Sequence, residues 1–292
     1  MATSNSTHFI AQRLAQPTRL DRVLRDQFPN WGRQAVQRLI AAGKVTLQGR
    51  VVRLASWEVH NGDRIAISET PAEKIAPPAK FDDAWIIAEE GDLVAINKPA
   101  GLLSEATKFS PAANLLDLAR ERFGELVLFH RLDRDTSGVV LLTRPGPINK
   151  YLDEAFKSHT IAKEYLAVVA TPNALLPEGV IAARLGPDPK RRDRRAVVAK
   201  GGQRAVTRYE IEQESDGKQL VRLWPETGRT HQLRLHLAHL GAPILGDRLY
   251  GAPSAAGQRL LLHAERITLP EAEEFPARWL CAPLPEGFWP VR

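Results

Sequence analysis

Hydrophobic and polar positions keep two different periods along this chain, and they change over where prolines cluster. Leu20, Val23, Leu24 and Phe28 recur at helical spacing until Pro29 stops the run. Asn30 stands where a cap would open a second helix, with Val36, Leu39 and Ile40 on one face and Gly43 at its end. Lys44–Val52 then reads as two short strands about a Gln48-Gly49 turn, and Asn61-Gly62-Asp63 turns the chain into Arg64–Ile67. Pro71, Pro77 and Pro78 among alanines predict a stiff, extended linker. The pattern therefore predicts a loose arm at 1–16, a small module at 17–70, a linker at 71–80 and a larger domain at 81–292.

In the larger domain strands and helices interleave. Trp85–Ala88 and Leu93–Asn97 predict strands about Glu90-Gly91-Asp92, and Asn114–Phe123 an amphipathic helix. The apolar run Val139–Leu142 follows a Thr136-Ser137-Gly138 turn and reads as a buried strand. Asn149–Ser158 predicts a helix and Ala162–Ala170 a strand, on which Lys163 and Tyr165, two apart, share a face. Thr207–Gln213 and Gln219–Trp224 predict paired strands about Asp216-Gly217. Thr230 and Gly241 bracket a helix with Leu233, Leu237 and Leu240 on one side and His231, Arg234 and Ala238 on the next. Leu260–His263 predicts a further buried strand, with Trp279 and Trp289 as cover for the core.

At 292 residues, 43% of them hydrophobic, the chain can bury the core of a domain plus a module. Its formal net charge of +6, with arginine well in excess of lysine, points to a polyanion such as nucleic acid rather than to a membrane. No stretch approaches the ~20 apolar residues of a membrane span. Cys281 is the single cysteine and Met1–Thr7 is polar, so the expectation is a reducing, cytoplasmic setting. Residues 17–70 carry nine Arg or Lys against five acids. Arg33, Arg38 and Lys44 are placed to share the exposed side of the second helix and its exit, and Lys190, Arg191 and Arg192 head a second basic run, 190–195.

The candidate chemistry centres on Phe129–Arg144, where His130 and Arg131 precede Asp133 and Asp135. On spacing alone, a loop capped by its own Asp and Ser residues outweighs a catalytic reading. His231, His236 and His239 do not fall on one helical face and no Cys cluster joins them, which argues against zinc. The chain has no GxxxxGK[ST], GxGxxG or GxSxG element. Asp133 and Asp135 could reach the separation of a glycosidase pair but would tend to point apart. A carboxylate held by an arginine stays ionised as a nucleophile, and a tyrosine offers a ring to a base and a hydroxyl for proton transfer.

Four motifs change the odds. H-R-L-D-R-D-T-S-G at 130–138 resembles the catalytic motif of the RluA family of RNA pseudouridine synthases. I-N-K-P-A-G-L at 96–102, A-K-E-Y-L-A-V-V at 162–169 and G-R-T-H-Q-L-R-L-H-L-A-H-L-G-A-P-I-L-G-D-R-L-Y-G at 228–251 resemble its other motifs, in its order. The preceding R-L-I-A-A-G-K-V-T-L-Q-G-R-V-V resembles an S4 RNA-binding module. The resemblance implies an α+β protein: an S4-like module, then a catalytic domain on a mixed, largely antiparallel sheet with flanking helices.

It also implies isomerisation of uridine to pseudouridine without cofactor or metal, on structured RNA. Large-subunit ribosomal RNA is favoured over transfer RNA, and a monomer is expected. By motif, Asp133 matches the nucleophile, Tyr165 the tyrosine that packs on the target base, and Arg234 the partner of the aspartate. Arg131 matches the arginine that enters the RNA stack; a salt bridge, for instance to Asp135, is its alternative role. His130, Arg229 and His231 join the basic residues above as expected RNA contacts. Ser104-Glu105 stands where the family usually has Val-His, which puts substrate contacts there in doubt. A non-catalytic RNA-binding or ribosome-assembly factor and a nucleoside hydrolase remain as alternatives.

Overall fold

A computed structural model describes residues 7–68, 78–106, 113–170, 175–189, 194–251, 259–272 and 275–289. Two compact units divide in sequence at 76/77. Most of the linker expected at 71–80 lies outside the described residues.

The N-terminal unit runs β1 (Thr7–Ile10), β2 (Thr18–Arg19), α1 (Leu20–Gln27), α2 (Arg33–Ala41), β3 (Val45–Leu47), β4 (Arg50–Val52), β5 (Glu58–Val59) and β6 (Arg64–Ile67). Part of the expected loose arm is thus a strand: β1 pairs antiparallel with β6, extending the sheet β1-β6-β3-β4. Phe9 accounts for this, since its ring packs edge-on at 5.7 Å against Phe28. Asn30 does not cap α2. Trp31 is buried and stacks on Phe28 at 4.0 Å, so the helix opens only after Gly32, with no side-chain cap. Val23, Leu24, Val36, Leu39 and Ile40 join this core, as their spacing predicts.

The second unit continues with β7 (Ile86–Glu90), β8 (Leu93–Lys98), α3 (Leu115–Phe123), β9 (Val127–Leu128), β10 (Ser137–Thr143), α4 (Ile148–Lys157), β11 (Ala162–Ala170) and β12 (Glu178–Pro187). It ends with β13 (Arg195–Val197), β14 (Gln203–Ser215), β15 (Lys218–Pro225), α5 (Gln232–His239), β16 (Leu262–Leu269) and β17 (Arg278–Cys281). Its sheet has the order β13-β12-β14-β15-β11-β16-β10-β8-β7, with β17 beside β16 and β9 beside β10. Every pairing is antiparallel except β10 with β16, so the sheet is mixed and largely antiparallel.

All seven residues of β10 are buried, because both faces of the sheet are covered there. Val139 and Leu141 join the core that contains Ile148 and Leu152 of α4. Val140 and Leu142 face the core that contains Leu115, Leu118 and Ala119 of α3. A strand locked on both faces is a rigid base for the loop that enters it. Of the two tryptophans expected to cover the core, Trp289 does so, whereas Trp279 is 68% exposed on β17.

Candidate active site

The loop before β10 carries Asp133, and its backbone is tied down on both sides. Lys98, at the end of β8, is fully buried. Its ammonium donates to the carbonyls of Pro99 (3.0 Å), Leu102 (2.8 Å) and Arg134 (3.1 Å). Burial pulls its pKa down to about 7, an effect that the charges of Asp135 and Asp133 oppose. Three carbonyls on three ammonium protons also favour the charged form. Gly101 N–H donates to the Arg134 carbonyl at 2.8 Å. The Ser104 hydroxyl donates to the Leu132 carbonyl and accepts from the Leu132 N–H, at 3.0 and 3.1 Å. The 98–104 segment therefore clamps residues 132–134. Just beyond, Gly138 has φ +120°, and a Cβ there would lie 2.1 Å from the Ala264 carbonyl oxygen on β16. Only glycine allows that approach.

The second half of the site comes from α5. Arg234 is buried and bridges two carboxylates. Its Nε and Nη2 donate to the two oxygens of Asp247, each at 2.8 Å, and its Nη1 donates to Asp133 Oδ2 at 3.1 Å. Burial disfavours the Arg234 charge, but hydrogen bonds and charge from Asp247, then Asp133, outweigh it and raise its pKa. Burial likewise opposes ionisation of Asp247, and Arg234 with the N–H groups of Tyr250 and Leu249 overrides it, lowering that pKa. The fork-to-fork pairing fixes the guanidinium plane, so Nη1 aims at Asp133.

The turn into α5 differs from the expected Thr230 cap. His231 takes a left-handed φ of 58° and the helix begins at Gln232. Gln232 Oε1 accepts from Arg229 N–H and the Thr227 hydroxyl, and its amide donates to Val206 O and Thr207 Oγ1. His231 Nδ1 lies 2.7 Å from the Tyr250 hydroxyl, which accepts from Arg195 N–H. The hydroxyl proton then points to Nδ1, leaving the proton on Nε2, which lies 3.8 Å from Asp133 Oδ2. Burial lowers the His231 pKa, with Asp133 opposing, so the ring is neutral near pH 7.

Asp133, Arg234, His231 and Gln232 line one cleft of about 710 Å³, with Tyr165 and Lys163 on the β11 wall. The register of β11 with β16 shifts between Glu164 and Tyr165. Burial, then the Asp133 charge, raises the Tyr165 pKa, so the side chain is a neutral phenol.

The other expected contacts divide. Arg131 is exposed at the cleft and pairs with Glu105 at 2.7 Å, whereas Asp135 pairs with Arg134 at 3.1 Å. The bracing partner of Arg131 is therefore Glu105 and not Asp135. His130 lines the cleft, but its ring is already engaged. Nε2 accepts from Leu141 N–H at 3.0 Å, the ring stacks on Phe156, and burial, then Lys163, lowers its pKa to about 3. It braces β10 instead of offering a charge to RNA. Arg229 lines the cleft and donates to the Arg204 carbonyl at 3.3 Å. Arg33, Arg38 and Lys44 are exposed on the N-terminal unit. Lys190, Arg191 and Arg192 lie outside the described residues. Among the described residues, no three His, Cys, Asp or Glu side chains are grouped as metal ligands.

Sequence reasoning assigned no role to Lys98, Ser104, Gln232 or Asp247. Asp247 and Lys98 sit inside quoted motifs, and an acid ahead of L-Y-G was the available signal for a second carboxylate on Arg234.

This geometry agrees with what the chain resembles. The family model described as RNA pseudouridylate synthase matches residues 92–239, and that of the S4 domain matches residues 18–65. The chain belongs to the RNA pseudouridylate synthase family. A ribosomal large subunit pseudouridine synthase D of Xylella fastidiosa is 33% identical over 92% of this chain and 86% of its own length. An uncharacterized RNA pseudouridine synthase of Chloroflexus aurantiacus is 36% identical over 91% of this chain and 86% of its own. Among solved structures, human RNA Pseudouridylate Synthase Domain Containing 1 superposes with a TM-score of 0.59 at 26% identity, covering 68% of this chain and 83% of that one. The RluA-type pseudouridine synthase following an S4 domain, inferred from motifs, is thereby shown.

Proposed function

We propose that this pseudouridine synthase modifies large-subunit ribosomal RNA in the cytoplasm as a monomer, with Asp133 as nucleophile. The observation that carries the assignment is Arg234, which holds Asp133 at 3.1 Å while its other two donors are taken by Asp247. An acceptor facing an immobile cation in a cleft with a neutral tyrosine suits covalent attack on a flipped uridine. Extruding the uridine costs a few kcal/mol, of which stacking on Tyr165 returns about 1–3 kcal/mol. Asp133 attacks the nucleotide, the N-glycosidic bond breaks, and the uracil turns to present C5 to the ribose. The C5–C1′ bond forms as the bond to Asp133 breaks and frees its carboxylate, C5 loses its proton and N1 gains one. Reactant and product are isomers, so the step calls for no redox partner. Tyr165 presents its ring and an O–H donor. Arg131 leaves Glu105 and fills the gap in the RNA stack.

The names of the Xylella fastidiosa and Yersinia pestis relatives, both ribosomal large subunit pseudouridine synthase D, support the choice of RNA, as does the S4 domain. The test is incubation of the purified protein with large-subunit ribosomal RNA and with transfer RNA transcripts, followed by pseudouridine mapping and assay of free uracil. Pseudouridine at discrete ribosomal positions is expected. Modification confined to transfer RNA would reassign the substrate, free uracil would mean a hydrolase, and neither product would mean a non-catalytic binding factor.

A further inference from the structure

Beside the cleft opens a second cavity of about 210 Å³, lined by Phe156, His159, Lys163, Trp224, Pro225 and Glu226 among others. Phe156, His159, Lys163 and Pro225 line both spaces, so the two adjoin. Its volume falls below the ~300–1,000 Å³ of sites for drug-sized ligands and suits a single nucleotide part. Two of its walls are aromatic. Arg208 lies 3.6 Å over the Trp224 ring, and Phe156 is stacked against His130.

Lys163 stands at the junction. It is partly buried, and among the described residues its ammonium has no hydrogen-bond or ion-pair partner. The adjacent carboxylate, Glu164, is held by Arg222 at 3.1 Å and Arg266 at 3.4 Å. Glu164 projects from the opposite face of β11, since neighbours on a strand alternate. Asp133 is engaged by Arg234. Burial lowers the Lys163 pKa, and a phosphate beside the amine would favour its charged form. An RNA strand entering the cleft brings phosphates.

We infer that Lys163 seats a backbone phosphate next to the target uridine, and that the cavity lined by Phe156 and Trp224 receives the base of the neighbouring nucleotide. This rests on the proposed reaction, because the strand is placed by the uridine at Asp133. It makes Lys163 a positioning residue: it orients the strand and touches no reacting atom.

The experiment is a double-mutant cycle in binding. Synthetic ribosomal stem-loops carry one neutral methylphosphonate linkage, on the 5′ or the 3′ side of the target. With wild-type protein, one of the two substitutions is expected to weaken binding about tenfold, as for loss of a charge-assisted hydrogen bond. Lys163→Met should lose a similar factor on unmodified RNA, raise KM more than it lowers kcat, and be indifferent to that methylphosphonate. Its log–log salt slope should fall by about 0.7–0.9. Lys163→Arg should restore binding and slope. An abasic residue beside the target should weaken the wild type but not Trp224→Leu. If the Lys163→Met and methylphosphonate losses multiply independently, or neither linkage matters to the wild type, the phosphate seat is overturned. An equal abasic penalty for wild type and Trp224→Leu overturns the base pocket. The modified RNAs test the wild-type protein whether or not the variants fold. Pseudouridine formation by wild type on unmodified RNA is scored separately, so failure of the parent reaction is distinct from failure of the Lys163 contact.

Discussion

The two units use basic side chains in opposite ways. In the N-terminal unit Arg33, Arg38 and Lys44 stand exposed on and just beyond α2. In the catalytic unit Lys98 and Arg234 are buried and held by protein acceptors. Exposed cations in water contribute affinity that salt screens, each by a small amount. A buried guanidinium locked by a bidentate carboxylate contributes geometry, and its loss leaves an uncompensated charge. On the proposed function, the contrast gives the N-terminal unit salt-screened RNA affinity and the catalytic unit the placement of Asp133.

The largest effect should follow from Asp133→Asn. The change keeps shape and removes the proposed nucleophile, so single-turnover pseudouridine formation should fall by ~10³-fold or more while RNA affinity changes little. Comparable turnover in the Asn variant would remove the nucleophile assignment. Next come the two ends of the bridge. Arg234→Met and Asp247→Asn each break a buried pair, a change that costs about 3–5 kcal/mol in stability. Denaturant unfolding should show it, and activity should fall in both although Asp247 does not line the cleft. An active Asp247→Asn enzyme would show that Arg234 aims at Asp133 unaided.

The contrast extends to acid. Burial lowers the pKa of His130 to about 3 and those of His236 and His263 to about 4, against an ordinary 6.5. The unfolded chain binds more protons than the native one between these limits, so stability rises with pH there. It is complete above pH 6.5 and is lost as pH falls through 6.5 toward 4. The loss should reach several kcal/mol, since each tenfold change in a ring's proton affinity is worth about 1.4 kcal/mol. His8 and His60 of the N-terminal unit are exposed. Opening free energies from hydrogen exchange on the full chain should therefore drop in β10, α5 and β16 but not in α1 and α2. A parallel drop in both units would deny the histidines this role.

Arg131→Ala should cost about tenfold on a well-stacked substrate loop and less on a short RNA with the uridine already unstacked, because a wedge matters where flipping is costly. Equal losses on both would favour bracing through Glu105. The smallest effects belong to the S4 unit, where each of Arg33→Ala, Arg38→Ala and Lys44→Ala should lower the salt slope of binding by about 0.7–0.9 if that side chain contacts phosphate. An unchanged slope in the triple variant would point to a protein partner for this surface.

Local pattern was enough for the elements and their order. The apolar periods of α1 and α2, the fully buried run of β10 and the paired β14 and β15 follow from side-chain spacing, because burial of one face or both is written every second or every third to fourth residue. Four motifs in order named the family and marked Asp133, Tyr165 and Arg234. Side-chain partners needed the fold. Asp247 reaches Arg234 from the segment that follows α5, and Glu105 meets Arg131 from a separate loop. Trp31 displaced a helix start that Asn30 signalled, and Phe9 drew a polar arm into a sheet. In each case the deciding contact joins residues whose directions are set by tertiary packing. A one-dimensional pattern records which side chains prefer burial, but not which charged group will stand opposite which.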